Sequence, residues 1–308
     1  MRLVILTTDT KHHTYFINEI SKVVDDIHVI YETKKLIKSY KTGPFLQEEE
    51  DKFEEKFFEN SPRHLSKKIE ARLRTYDTCN GEECISHINK IQPDIIISFG
   101  IGLLKAAVCS VAKICSLNIH RGYISEYRGL DSDLWALYNK EFNKIGVAIH
   151  HLSEKLDTGD VIVQETISVN KKIEVFHIRY LTTILATDMM KKIVAKVVKT
   201  NEAPKSVPQK KIGKYYSAIP LDKKMKAKEN LDTYFKEKTA VTILLYHGVT
   251  KSESKGIENF SQKHISVREF KIQMQHLKEN LKPMSLRAIS KMLSEGKFIP
   301  KDCVAVTF

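Results

Sequence analysis

Short runs of Val and Ile recur along the first half of the chain, separated by stretches of helical patterning. They are LVILTT (3–8), IHVIYE (27–32), DIIISFG (94–100), SLNIH (116–120), GVAIHHL (146–152) and VIVQETISV (161–169). Strand-length apolar runs alternating with helix-length segments predict an α/β fold with a parallel or mixed sheet covered by helices. Between Gly43 and Asp77 the chain is polar and charged, with Phe45, Phe53, Phe57 and Phe58 near helical spacing. This predicts one or two amphipathic helices whose aromatic stripe faces the core. Residues 176–200 read as one long helix in which Ile178, Leu181, Ile184, Met189, Ile193 and Val197 share a face.

The pattern changes after that helix. Pro204, Pro208 and KIGKYYSAIP lead into the charged LDKKMKAKENLDTYFKEK, which is expected to be a linker over 221–239 after a first domain of residues 1–220. AVTILLYHGV (240–249) is then a new buried-strand signal. Ser266 and Glu269 form a capping box, followed by Phe270, Met274, Leu277 and Leu281 on one helical face. Ser285 opens another helix that Gly296 closes, and VAVTF reads as a strand.

Composition narrows the class. With 42% hydrophobic and 29% charged residues the chain is expected to be globular, and no apolar run approaches a bilayer span. MRLVILTTDTKHH turns polar within a few positions, so it reads as a first strand and not as a signal peptide. Five cysteines without paired spacing point to a reducing cytoplasm and to no zinc site. The net charge of +12 comes from scattered lysines without an aromatic-interleaved basic stripe, which argues for a solvated surface and against a nucleic-acid partner.

Asn118 and His120 are two apart, so on a strand they leave one face at its carboxyl end, where open α/β sheets place their sites. On that fragment alone a structural hydrogen-bonded pair is the simpler reading. HHLSEKLDTGD adds a second strand running into a loop with Asp157, Gly159 and Asp160. An oxyanion donor, a histidine and a carboxylate together suit acyl transfer.

From Pro93 to Gln164 the order Asn-x-His, the YRG loop, a Trp-containing helix, an Ile-His strand and Leu-Asp-x-Gly resembles the catalytic core of the folate-dependent formyltransferases, and of these most of all the sugar-nucleotide N-formyltransferases. The resemblance implies a Rossmann-like, mostly parallel sheet flanked by helices. It implies catalytic Asn118, His120 and Asp157, and 10-formyltetrahydrofolate as co-substrate, with no metal. It places the folate against Phe99, Gly100, Ile101, Gly102, Leu103 and Leu104 and against Ser153, Glu154, Lys155 and Leu156. Gly100 and Gly102 would allow close approach to the flat ring. Relatives commonly have a Ser-Leu-Leu-Pro-like run after Asn-x-His. Here Arg121 to Glu126 replace it, so acceptor recognition is where this chain departs. Arg121, Tyr123, Arg128, His12 and His13 are the candidates to grip the acceptor, His150 is a supporting histidine, and Trp135 is a core residue.

ILLYHGV, the capped helix, MSLRAISKMLSEGKFIP and CVAVTF resemble the opening of a polysaccharide-deacetylase (NodB-like) domain. That family continues Thr-Phe with Asp-Asp-Gly, whereas the sequence ends at Phe308, so neither deacetylation nor metal binding is expected of residues 240–308. The expected function is formyl transfer to the amine of an amino-sugar nucleotide used in bacterial surface-glycan synthesis. Methionyl-tRNA formylation, formyl-folate hydrolysis and a silent binding module are the alternatives. The expected partner is a small-molecule acceptor, with no nucleic acid and no membrane; a homodimer is compatible with this.

Overall fold

In a computed structural model of the protein, residues 1–34, 47–58, 64–170, 172–238, 241–251, 253, 259, 263–295, 297 and 299–308 are described. The chain divides into two units, Met1–Val169 with Glu174–Asn230, and Asn170–Ile173 with Leu231–Phe308.

The first unit is built on seven strands. In chain order its elements are β1 (Arg2–Thr7), α1 (Lys11–Ile20), β2 (Asp26–Glu32), α2 (Gln47–Phe57), α3 (Lys67–Glu70), β3 (Leu73–Tyr76), α4 (Glu82–Ile91), β4 (Ile95–Phe99), α5 (Ala106–Cys109), β5 (Cys115–Arg121), β6 (Tyr127–Gly129), α6 (Ser132–Tyr138), β7 (Gly146–His151), β8 (Val161–Thr166), α7 (His177–Thr200), β9 (Lys214–Tyr216) and α8 (Leu221–Lys238). Helix α8 runs through the division at Asn230 into the second unit, over the stretch expected to be a linker. The sheet order is β3-β2-β1-β4-β5-β7-β8. β1 to β5 pair in parallel, and β7 and β8 join antiparallel. The central sheet is therefore mostly parallel.

Alternation along each strand divides the core in two. Leu3, Ile5, Ile95, Ile97, Leu117 and Ile119 pack with Phe16 and Ile17 of α1 and Met189 and Val194 of α7. Val4, Leu6 and Ile96 pack with Cys84 and Ile88 of α4 and Val108 of α5. This second face is the one to which Ser98, Asn118 and His120 belong, beyond the last apolar layer.

Several expectations require correction. On α7 Ile178, Met189, Ile193 and Val197 are buried as expected, but Leu181 and Ile184 are only half-buried, and between them the buried face runs through Thr182, Thr183, Ala186 and Thr187. The threonines can be buried because their hydroxyls donate back to the carbonyls of Ile178, Arg179 and Thr183 at 2.7–2.8 Å. Of the expected aromatic stripe Phe58, just after α2, is buried, but on α2 Phe57 is exposed and Phe53 half-buried, while Glu54 is 1% exposed. Arg179 reverses the apolar logic, since it pairs with Glu50, Asp51 and Glu54 at 2.7–2.9 Å. Phe45 lies outside the described residues. β3 has a single turn of apolar signal, Leu73 and Tyr76 at its ends, and sits at the sheet edge.

The second unit has β10 (Thr242–Leu245), β11 (Gly248–Thr250), β12 (His264–Ser266), α9 (Val267–Asn280), β13 (Lys282–Pro283), α10 (Leu286–Ser294) and β14 (Cys303–Thr307). β10, β14 and β13 form a parallel sheet with β14 at its centre. The capping box at Ser266 and Glu269 is present, and Ser285 caps α10 through Ala288. Ile289, Ile299, Cys303 and Ala305 form its core, with Val241, Met284 and Leu293 packed against them. β10 is not the buried strand its composition suggested, because Ile243 and Leu245 are 55% and 58% exposed. Gly296 lies outside the described residues.

Candidate active site

The register of three adjacent strands assembles the site. Ser98 of β4 pairs with Asn118 of β5, and Asn118 with His150 of β7, so three polar side chains stand abreast on one face. The Ser98 hydroxyl donates to Asn118 Oδ1 at 2.5 Å. Asn118 Nδ2 is 3.0 Å from His150 Nε2, and His150 Nδ1 is 2.8 Å from the His151 carbonyl. A carbonyl only accepts, so His150 carries its proton on Nδ1 and accepts from the Asn118 amide with Nε2. That leaves the second Asn118 amide proton without a partner in the row.

His120 is fixed by a similar constraint. Its Nε2 donates to the Tyr127 carbonyl at 2.8 Å, so the nitrogen available for proton exchange is Nδ1. Nδ1 lies 3.5 Å from Asp157 Oδ2, and Asp157 Oδ1 lies 3.6 Å from His150 Nε2. Asp157 therefore stands between two histidines, and its Oδ2 also accepts from Gly129 N–H at 2.8 Å.

The electrostatics follow from burial. His120 is 5% exposed and Asp157 6%. Burial drives the His120 pKa below its ordinary 6.5, against the upward pull of Asp157. Burial also pushes the Asp157 carboxyl up, but His120, His150 and the Gly129 amide together outweigh it and hold it at about 2. At neutral pH the site thus sets a carboxylate against the lone pair of a neutral imidazole. Two acceptors 3.5 Å apart make a place for one proton.

The same pKa directions predict an acid sensitivity of the fold. Asp157 has a folded pKa below its reference 3.8, so its contribution to stability is present above pH 3.8 and is lost as pH falls through about 2. His120 has a depressed folded pKa, so its neutral form favours folding above pH 6.5, and that contribution is lost as pH falls below 6.5. Thermal unfolding measured across these ranges should show both losses, and Asp157→Asn should remove the one below pH 3.8.

The groups open onto a cleft of about 500 Å³, within the size range of small-molecule sites. One wall is the stretch Phe99–Leu104, with Leu152, Ser153 and Leu156; another holds Arg121 and residues Gly129 to Asp133. Glu154 and Lys155 share the Ser153–Asp157 loop but are exposed and do not line the cleft. Gly100 is required by packing: it has φ 75°, and a Cβ there would lie 2.5 Å from His13 Cε1. At Gly102 a Cβ would meet only Glu32 at an ordinary 3.7 Å.

The acceptor candidates divide. Arg121 lines the cleft, and its Nη1 is buried without a hydrogen-bond partner. Arg128 does not line the cleft: its Nη1 donates to the Leu156 carbonyl at 2.9 Å and its Nε to the Gly213 carbonyl at 2.6 Å. It clamps the Asp157 loop. Tyr123 lies outside the cleft lining, under the Lys144 ammonium. His12 and His13 are buried near the start of α1 and do not line the cleft. His12 pairs with Glu54 at 3.4 Å, and His13 packs edge-on against Phe99 behind Gly100. Trp135 is 8% exposed and donates to the Ser217 carbonyl, so it is a core residue.

Sequence reasoning missed Ser98, Gly129 and Gln209. Ser98 had a signal, being a hydroxyl where an Ile-rich strand should continue its apolar alternation. Gly129 and Gln209 act through a backbone N–H and a long-range side chain, which no local pattern announces.

Residues 41–179 match the family model described as "Formyl transferase". Over 124 residues the chain is 30% identical to the "Bifunctional polymyxin resistance protein ArnA" of Wigglesworthia glossinidia brevipalpis, covering 40% of this chain and 19% of the relative. Over 98 residues it is 34% identical to the "GDP-perosamine N-formyltransferase" of Brucella melitensis, covering 32% and 38%. Over 149 residues it is 26% identical to the "Methionyl-tRNA formyltransferase" of Finegoldia magna, covering 48% of each. The chain thus spans less than half the length of these relatives. Among solved structures, a sugar N-formyltransferase from Shewanella aligns with TM-score 0.51 at 15% identity, covering 75% of this chain and 88% of that one. A 4-N formyltransferase from Francisella tularensis aligns with TM-score 0.50 at 17% identity, covering 75% and 87%. At such identities the likeness concerns the fold, and the mixed α/β fold with a mostly parallel, helix-flanked sheet is similar to that of formyltransferases.

Proposed function

We propose that the protein is an N-formyltransferase that moves the formyl group of 10-formyltetrahydrofolate to a primary amine of an amino-sugar nucleotide. The observation that carries this reading is the placement of Asp157 between His120 and His150, beside Asn118, at the carboxyl end of β5. The likeness of residues 41–179 to formyl transferases supports the reaction class. The folate would lie against the Phe99–Leu104 stretch and the Ser153–Leu156 loop, and Arg121 on the opposite wall would meet the acceptor.

In the reaction a neutral amine nitrogen attacks the formyl carbon, and the C=O becomes a tetrahedral oxyanion. The free Asn118 amide proton stabilises it. The amine must then lose one proton, and the site has one place for it, between His120 Nδ1 and Asp157 Oδ2. Collapse of the intermediate breaks the bond to the folate nitrogen, which takes up that proton. His120 has to begin neutral, so kcat/KM is expected to be level above pH 6.5 and to fall below it as the depressed His120 pKa is crossed. Asp157, held at about 2, should contribute no limb in the measurable range.

Incubation with 10-formyltetrahydrofolate and a panel of amino-sugar nucleotides, read by mass spectrometry for a gain of one formyl unit, tests the function. No formylated product from any amine would sink it. Methionyl-tRNA as acceptor is distinguished by salt, because a polyanion is held by counterion release and loses affinity steeply as salt rises.

The likeness of the second unit to a deacetylase opening belongs to the same proposal, in which that unit takes no part in formyl transfer. Among the described residues no group of three or more His, Cys, Asp or Glu could hold a metal ion, and no helix is long and apolar enough to cross a membrane. A chain of residues 1–238 keeps all of α8, including Asn230, whose amide donates to the Leu137 and Tyr138 carbonyls. It is expected to retain formyl transfer within about twofold by steady-state assay. Loss of activity in a folded 1–238 chain would end the division of labour.

A further inference from the structure

The turn that carries Asp157 is held by a residue more than fifty positions away in the chain. After α7 the chain returns to the sheet, where Val207 and Val161 exchange backbone hydrogen bonds at 2.8 and 2.9 Å. Two residues on, Gln209 Nε2 donates to the Asp157 carbonyl at 3.1 Å and to the Gly159 carbonyl at 2.8 Å. These carbonyls bracket the turn. An amide nitrogen has two protons for two acceptors, and the reverse orientation would set Oε1 against both carbonyl oxygens, so chemistry fixes which end faces them.

The turn needs such a hold. Asp157 has φ 52°, in the left-handed region that a side chain disfavours. Gly159 packs so closely that a Cβ would lie 1.8 Å from the His151 carbonyl oxygen. Arg128 fixes the preceding Leu156 carbonyl, and the Gly129 amide meets the carboxylate itself. What remains, the carbonyls of Asp157 itself and of Gly159, is met by Gln209.

We infer that Gln209 is a positioning residue, which holds the Asp157–Gly159 turn so that the Asp157 carboxylate faces both His120 and His150. It acts through Asp157 and touches no reacting atom. The catalytic consequence rests on the function proposed above, but the placement of the carboxylate does not, and the experiment separates them.

The readout is the imidazole titration of His120, followed by NMR in the full-length protein and identified by its loss in His120→Asn. The charged groups acting on His120 are Asp157 and Asp133, which raise its pKa, and His150, which lowers it. Gln209→Met keeps the length of the side chain and removes both donors. It is expected to lower the His120 midpoint, in the direction set by Asp157→Asn, because the carboxylate is no longer held opposite Nδ1. In an Asp157→Asn background the same change should have no further effect. Gln209→Leu, which likewise removes both donors and adds no charge, should repeat the result, and the melting transition of either variant shows that the fold persists.

An unaltered His120 midpoint in both folded variants would overturn the inference. So would a shift of equal size in the Asp157→Asn background, since the effect would then not pass through Asp157. If the protein transfers formyl groups, Gln209→Met should lower kcat by roughly 100-fold with KM for the formyl donor unchanged. If the wild-type protein transfers none, the proposed function fails while the titration still decides the role of Gln209.

Discussion

Asp157→Asn is expected to lower kcat for formyl transfer by roughly 100- to 10,000-fold, with KM for the formyl donor little changed. The substitution preserves size. The new Oδ1 can still accept from the Gly129 amide in place of the carboxylate oxygen that now lies 2.8 Å away. That same oxygen faces His120 Nδ1 at 3.5 Å, so the amide nitrogen takes the other place, 3.6 Å from His150 Nε2. His120 Nε2 remains committed to the Tyr127 carbonyl. A neutral amide oxygen then stands where the carboxylate oxygen shared a proton with Nδ1, so the imidazolium formed when the amine loses its proton has no negative partner. The loss therefore falls on the chemical step. A single-turnover assay with saturating donor measures it directly, and a rate within tenfold of wild type would remove Asp157 from proton transfer.

That carboxylate also marks how far the sequence could be read. The Val and Ile runs identified six of the seven strands of the main sheet, because a strand buried on both faces has to be apolar throughout. The seventh, β3, is a four-residue edge strand with two exposed residues, and nothing about RT between Leu73 and Tyr76 requires burial. The periodicity of α7 pointed to its bulkier residues, but the buried face uses threonines whose hydroxyls are satisfied within the helix. Propensity cannot foresee that a polar residue will be made apolar by its own backbone.

In the site, Asn118, His120 and Asp157 were legible because a motif of fixed order carries them, and the structure brings all three to one cleft. Arg128 was read toward an acceptor because a cation beside a catalytic motif suggests an anionic ligand, whereas it does not line the cleft and two of its donors go to backbone carbonyls. His12 and His13, read as candidates to meet an acceptor, do not line the cleft; burial lowers the pKa of both, so they are neutral packing groups. Gln209 could not have been found, since its meaning lies in a long-range pairing with a turn that local patterning does not connect to it.

Asn118→Ala is expected to lower kcat by about 100- to 1000-fold, the typical cost of removing one oxyanion donor. The structure gives reason to expect the effect in kcat and not in donor KM. Asn118 is pinned on both sides, by the Ser98 hydroxyl at 2.5 Å and by His150 Nε2 at 3.0 Å, so its amide is oriented before any substrate arrives. A donor that needs no rearrangement acts most strongly on charge that develops only in the transition state. Truncation also leaves the buried His150 Nε2 without its donor, with Asp157 Oδ1 3.6 Å away as the remaining polar group. Asn118→Asp tests the role directly, because a carboxylate there can still accept from the Ser98 hydroxyl but offers no proton to the oxyanion. If Asn118→Asp regained the wild-type rate, stabilisation of the oxyanion by Asn118 would be excluded, and its importance would lie in holding His150.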